Sequence, residues 1–287
     1  MFIESQIKLT KRVNYKFQLK NKEIQDFDTY IVGSDQVWRN DYALDMGIYF
    51  FDFVTRTKIL ASYAASFGKE SWSYSADETS SSTKLVKCFS HVSVRENSAI
   101  KLCNDKLDVI AESHLDPTLL VDLSRYQEII NKYDGSNSTN STNTPKNIFC
   151  YFLDSNKKKS QVAELVKNHF NIEVNTFDNN ITQKLNFGEW LNSFKSSKFV
   201  ITDSFHGVVF SLIFRKQFIA IGNKGRGLSR FKTILNITEL AERLIIDDYS
   251  KGLDIVSKDI DYQKVGHIID SEKKKSNEYL KSIFERS

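Results

Sequence analysis

The stretch from Phe199 to Gly207, FVITDSFHG, constrains the fold more than any other part of the chain. Phe199, Val200 and Ile201 are apolar and largely β-branched, as a short buried strand requires. Thr202, Asp203 and Ser204 break that run with side chains suited to turns and helix N-caps. From Val208 to Phe214 an apolar run resumes, VVFSLIF, long enough for a buried helix. Strand, polar turn and helix in this order predict an open α/β sheet, whose ligands sit outside the carboxyl ends of its strands. Ser204 and His206 stand at the mouth of that turn. The helix N-terminus there offers free N–H groups and partial positive charge, which suit an anion.

The same alternation runs through the whole chain. Tyr30-Ile-Val reads as a buried strand followed at once by Gly33-Ser-Asp-Gln, a second strand-then-polar-turn unit. Tyr49 to Val54, Lys58 to Phe67, His91 to Val94 and Leu107 to Ala111 are strand-like. Ser75 to Cys88 and Asn97 to Cys103 read as helices between them. Further on, Asn147 to Leu153, Ile172 to Phe177 and Gln217 to Ile221 are strand-like. Ser160 to His169, Phe187 to Phe194, Ser229 to Asn236, Ile237 to Leu244 and Tyr262 to Phe284 have helical spacing. Strands alternating with helices predict parallel sheets with crossover connections.

A run without apolar residues, GSNSTNSTNT at 135–144, cannot join a core and reads as a linker. It sets the expected domains at 1–134 and 145–287. With 287 residues there is chain enough for two such units. No run of about 18 apolar residues suits a membrane-spanning helix, and MFIESQIKLTKRVNYK is not a signal peptide. The triplets at Asn137 and Asn140 read as linker composition. A net charge of +4 does not imply nucleic acid as a partner, and is compatible with a local cationic cleft for an acidic substrate. Cys88, Cys103 and Cys150 form an odd, sparse set, read as reduced thiols in a cytosolic setting. Cys88 and His91 have a C-x2-H spacing, with Cys103 and His114 further on. The paired close spacings of structural zinc sites are missing, so no metal site is expected.

Candidate chemistry concentrates in a few places. His206 is either an N-terminal helix residue bonded to nearby backbone or an acid/base group, since an imidazole holds or releases a proton near neutrality. Lys224, Arg226 and Arg230 cluster in a glycine-rich stretch, GNKGRGLSR. That stretch is a solvated turn or an anion site, because guanidinium groups grip phosphate and carboxylate in a two-pronged way. It is not a P-loop, and no G-x-G-x-x-G follows a strand. Arg95, after Val92-Ser-Val, faces a ligand or pairs at the surface with Glu96. Asp35, beside Ser34, caps a turn or binds substrate. Trp38 and Trp190 read as core.

Taken together, GSDQVW at 33–38, SYAASFG at 62–68, VSVRE at 92–96, DPTLL at 116–120, TDSFHG at 202–207 and RGLSR at 226–230 resemble the polysaccharide pyruvyl transferase family. The resemblance covers roughly Phe27 to Leu244. It implies two Rossmann-like domains in a GT-B-like arrangement. It also implies transfer of pyruvate from phosphoenolpyruvate to two sugar hydroxyls, giving a cyclic ketal and phosphate. By motif, His206 is the family's acid/base histidine. Arg226, twenty positions later, touches phosphoenolpyruvate, and Arg95 faces the cleft from the first domain. Arg230, Lys224, Ser204, Asp35 and Ser34 complete the expected substrate contacts.

Phosphoenolpyruvate enters as co-substrate, and no cofactor or metal is expected. The acceptor expected is a saccharide, free or lipid-linked, of a surface polysaccharide. The resemblance places the protein in the cytoplasm or peripheral to the inner membrane face. Relatives usually begin with a strand and an Asn-Tyr-Gly loop ahead of GSDQVW. NYK at 14–16 is not a substitute, so the N-terminal domain is expected to lack its first strand. The other readings are a GT-B-type glycosyltransferase using a nucleotide sugar and a truncated inactive homologue.

Overall fold

The computed structural model describes residues 7–43, 45–55, 57–133, 147–178, 185–222 and 227–285. Contacts divide the chain into two compact units. Unit 1 is Met1–His114 with Ser276–Ser287, and unit 2 is Leu115–Lys275. Both are mixed α/β with parallel pairing, as the alternating pattern predicts.

In unit 1, α1 (Lys22–Gln25) precedes β1 (Thr29–Val32), β2 (Ile59–Ser62), α2 (Ala76–Val86), β3 (Ser93–Val94), α3 (Asn97–Leu107) and β4 (Glu112–Ser113). β1 pairs with β2 and β3 with β4. Parallel bridges at Ala61–His91 and Ala65–Val94 carry the pairing from β2 toward β3. Trp38 is fully buried and stacks on Phe50 with ring centroids 5.1 Å apart, so it belongs to the core. Ser75 caps α2 by accepting from the Glu78 amide, while the Glu78 carboxylate accepts from the Ser75 amide.

Two strand expectations in unit 1 do not hold. Met46–Phe50 is a 3-10 turn rather than a strand, because Asp45 accepts from the Gly47 amide and Phe51 takes a left-handed φ of 57°. At Leu107 the chain is still helical. α3 runs through it and stops where Asp108 turns left-handed, so β4 begins only at Glu112.

Unit 2 holds α4 (Leu123–Tyr133), β5 (Asn147–Phe152), α5 (Lys157–Phe170), β6 (Glu173–Asp178), α6 (Phe187–Ser196), β7 (Phe199–Thr202), α7 (Phe205–Ile213), β8 (Gln217–Ile221), α8 (Ser229–Ile237), β9 (Leu244–Ile245) and α9 (Gly252–Val256). The helix α10 (Tyr262–Ser282) begins in unit 2, and its last turns belong to unit 1. The five strands lie in the order β6-β5-β7-β8-β9, all parallel. Strict alternation along β7 sends Phe199 and Ile201 to one face, with Val162 and Val166 of α5. Val200 goes to the other, with Phe194 of α6 and Val208 of α7. The helix expected over 237–244 resolves into a turn at Ala241–Arg243 followed by β9.

The proposed linker at 135–144 lies outside the described residues. By contacts the division falls earlier, between His114 and Leu115. The reason is burial: Leu115, Leu119, Tyr126 and Ile130 pack in the same core as Phe149 and Phe194.

Candidate functional site

The strand order of unit 2 decides where a ligand belongs. Chain order 2-1-3-4-5 in space means that the connection after β5 runs to β6 on one side and the connection after β7 runs to β8 on the other. Such a switch point opens a crevice between the two central strand ends, where doubly wound sheets bind their ligands. The loops there follow β5 and β7. The β7 loop is TDSFHG.

Asp203 ties these two loops together. It is 2% exposed and accepts from the Leu153 amide at 2.7 Å, just past β5. Its other oxygen accepts from the ammonium of Lys159, in the first turn of α5, at 2.5 Å. Lys159 is itself buried and also donates to the Asp154 side chain and carbonyl. Burial acts to lower the Lys159 pKa, but the hydrogen bonds it donates to Asp154 and Asp203 outweigh it and hold the value above the ordinary 10.5. The sequence marks Asp203 only as a turn former. Its role as a buried anchor depends on a lysine 44 residues away.

Past Asp203, Ser204 is the N-cap of α7, and its hydroxyl accepts from the Gly207 amide at 3.4 Å. Gly207 is required by close packing. A Cβ there would lie 2.1 Å from the Thr202 hydroxyl, which itself donates to the Tyr151 carbonyl at 2.8 Å. His206 sits in the first turn, its side chain 37% exposed. Its Nε2 is 3.8 Å from Oδ2 of Asp116, a carboxylate 1% exposed. The other Asp116 oxygen accepts from the Thr118 amide at 3.0 Å and hydroxyl at 2.5 Å, which fixes the group. Sequence reading notes Asp116-Pro117 as a turn and part of a motif. The carboxylate beside the imidazole is missed because nothing in the spacing brings residue 116 to residue 206.

Arg230 joins this neighbourhood. It lies in the first turn of α8, is 7% exposed, and its guanidinium carbon is 5.4 Å from the centroid of the Phe205 ring. Ser204, His206 and Arg230 are thus brought together at one end of the sheet of unit 2. Lys224 and Arg226 lie outside the described residues.

In unit 1 the structure pairs two other expected residues. Arg95 is 3% exposed, so it is no surface group, and its Nη1 lies 3.6 Å from Oδ1 of Asp35. Glu96 is no surface group either. The Glu96 carboxylate is fully buried and accepts from the Ser66 hydroxyl at 2.9 Å and the Phe67 amide at 3.1 Å, holding the SYAASFG turn. Asp35 also accepts from the Gln36 amide at 2.9 Å, and Ser34 beside it is half-buried. Gly33 has φ 132°, and a Cβ on it would meet the Tyr63 carbonyl at 2.0 Å. Both motifs therefore meet at the carboxyl ends of β1 and β3.

Among the described residues no three His, Cys, Asp or Glu side chains gather as metal ligands would. His114 Nδ1 instead lies 2.9 Å from the Ser93 hydroxyl. Nor is any helix among them long and apolar enough to cross a membrane.

The polysaccharide pyruvyl transferase family model matches residues 2–225, more than three quarters of the chain. The chain belongs to that family. No curated protein matches it. The family is one of transferases with a saccharide acceptor, and its match includes Asp35, Arg95, Asp116 and His206. The match ends just before Arg226, so that residue and Arg230 lie beyond it.

Proposed function

We propose that this polysaccharide pyruvyl transferase uses phosphoenolpyruvate as donor and forms a cyclic ketal on two hydroxyls of a surface-polysaccharide saccharide or its lipid-linked precursor. The observation that carries the reading is the His206–Asp116 pair at the N-terminus of α7, at the switch point of the sheet. A donor with up to three negative charges suits a helix N-terminus and arginines.

The chemistry needs three proton transfers, one onto carbon and one off each hydroxyl, with one net proton released. A proton goes to the methylene carbon of the enol, a sugar hydroxyl loses its proton and bonds to C2, and the C2–O bond to phosphate breaks. The second hydroxyl then bonds to C2 and gives up its proton, which leaves with inorganic phosphate or solvent. His206 is the group proposed to move these protons, with Asp116 holding the ring and favouring its charged form in passing. Arg230, with Arg226 and Lys224 as read from the sequence, is proposed to hold phosphate or carboxylate. Preformed charge of this kind lowers a barrier by several kcal/mol, on the order of 3 for one good donor. Arg95, steadied by Asp35, is proposed to face the substrate from unit 1. A GT-B-like arrangement of the units belongs to the same proposal.

The test is phosphate release from phosphoenolpyruvate with a saccharide acceptor, for wild type and His206→Ala. We expect a loss of at least about a hundredfold in kcat, the usual size of an acid/base contribution. Equal rates would remove His206 from catalysis. Calorimetric binding of a UDP-sugar in place of phosphoenolpyruvate would favour a glycosyltransferase instead.

A further inference from the structure

The chain carries its net positive charge in one exposed segment. Between Ile7 and Lys22 lie Lys8, Lys11, Arg12, Lys16, Lys20 and Lys22, and no acidic residue. Taking these six from the 40 basic residues leaves 34 against 36 acidic ones, so the rest of the chain is slightly negative. The same segment exposes apolar side chains. Ile7 is 57% exposed, Leu9 51%, Tyr15 65% and Phe17 71%, and the Tyr15 and Phe17 rings stack on each other in solvent at 5.8 Å. Single exposed apolar groups are ordinary, but four in eleven residues, interleaved with cations, form a surface that water alone does not favour.

We propose that residues 7–22 are a docking surface for a bilayer bearing anionic headgroups. Charge complementarity chooses this occupant. Lys8, Lys11 and Arg12 are exposed and make no ion pair among the described residues. Lys16 is different: it is held by Asp45 at 2.6 Å and Asp52 at 2.5 Å, and so ties the segment to its unit. A second copy of the chain is the competing occupant, because alternating apolar and polar residues also suit strand pairing. Pairing two copies here would bring two acid-free cationic segments together, which Coulomb repulsion opposes. An anionic bilayer offers the opposite: countercharge for the lysines and an interfacial layer for aromatic rings. The inference stands whatever the donor of the reaction is, and an enzyme with a lipid-linked acceptor gains from it.

The experiment is co-sedimentation of the whole chain with vesicles of phosphatidylcholine, with and without phosphatidylglycerol. Each basic side chain near an anionic surface raises partitioning about fivefold, and salt screens the effect. Wild type should sediment with the phosphatidylglycerol vesicles, less so at high salt, and not with phosphatidylcholine alone. The variant K8Q/K11Q/R12Q should partition on the order of a hundredfold less. Y15S/F17S should lose severalfold, and both variants should keep the wild-type circular dichroism spectrum. No sedimentation of wild type with anionic vesicles overturns the proposal, as does equal partitioning of the triple variant. Light scattering that shows a wild-type dimer abolished by K8Q/K11Q/R12Q, with sedimentation unchanged, overturns it in favour of a second copy.

Discussion

Replacing Asp203 by Asn removes one charge from a buried pair and leaves its shape. The asparagine oxygen still reaches the Leu153 amide, now held at 2.7 Å. Lys159, only 3% exposed, keeps Asp154 but loses its fully buried counterion. Breaking a buried pair from one side costs about 3–5 kcal/mol, since the remaining charge is left in a poorly solvated place. With Asp154 still in contact, the lower end applies, about 3 kcal/mol. That is a large part of the ~5–15 kcal/mol that holds a typical domain folded. Lys159→Met should cost a similar amount for the mirror-image reason. The double variant should cost much less than the sum, with a coupling of about 2 kcal/mol or more.

The two buried cysteines make the assay local. Cys150 lies in β5 of unit 2 and Cys103 in α3 of unit 1, both fully buried. Thiol labelling in increasing urea, read by mass spectrometry, therefore reports the units separately. With urea m-values of ~1–3 kcal/mol per molar, a loss of about 3 kcal/mol in Asp203→Asn should move the Cys150 midpoint down by about 1–3 M. The Cys103 midpoint should stay. Additive effects in the double variant, or an equal shift at both cysteines, would refute the claim that this pair clamps the β7–α7 turn. The pair's pH dependence follows from the raised Lys159 value. Its stabilisation is complete below the unfolded lysine value of 10.5 and is lost as pH rises through the higher folded one.

Three further outcomes are expected. Asp116→Asn, in the phosphate-release assay, should lower kcat tenfold or more and leave KM for phosphoenolpyruvate nearly unchanged, and a change in KM alone would count against a role through His206. Gly207→Ala sets a methyl group 2.1 Å from the Thr202 hydroxyl, so thermal unfolding should show a loss of about 1–3 kcal/mol, partly rescued by Thr202→Ala, which removes that oxygen. At pH 8 a thiol reagent should label only Cys88 in the folded chain, because burial pushes the Cys103 and Cys150 thiols up to about 12. Those raised values also mean stability intact below the ordinary thiol value of 9.0 and declining as pH climbs from there toward 12.

Local sequence determined the elements. The apolar triplet Phe199-Val-Ile is a strand buried on both faces, which calls for a continuous apolar run, and Ser204 caps a helix because its hydroxyl accepts from the Gly207 amide ahead of it. The same local logic misread Tyr49 and Leu107, where aromatic and aliphatic residues bury themselves from a turn and a helix end instead of a strand. Between the two readings open for Arg95, a surface pair or a ligand contact, burial removes the first. Only tertiary structure decided the company these residues keep. A strand order that doubles back at β5, and so sets its loop beside that of β7, is written in no single segment. Nor are the carboxylate 90 positions before His206, which lies 3.8 Å from its ring, or the lysine that neutralises Asp203. Such pairs form because a buried charge has to find its opposite, and folding alone determines which distant residue supplies it.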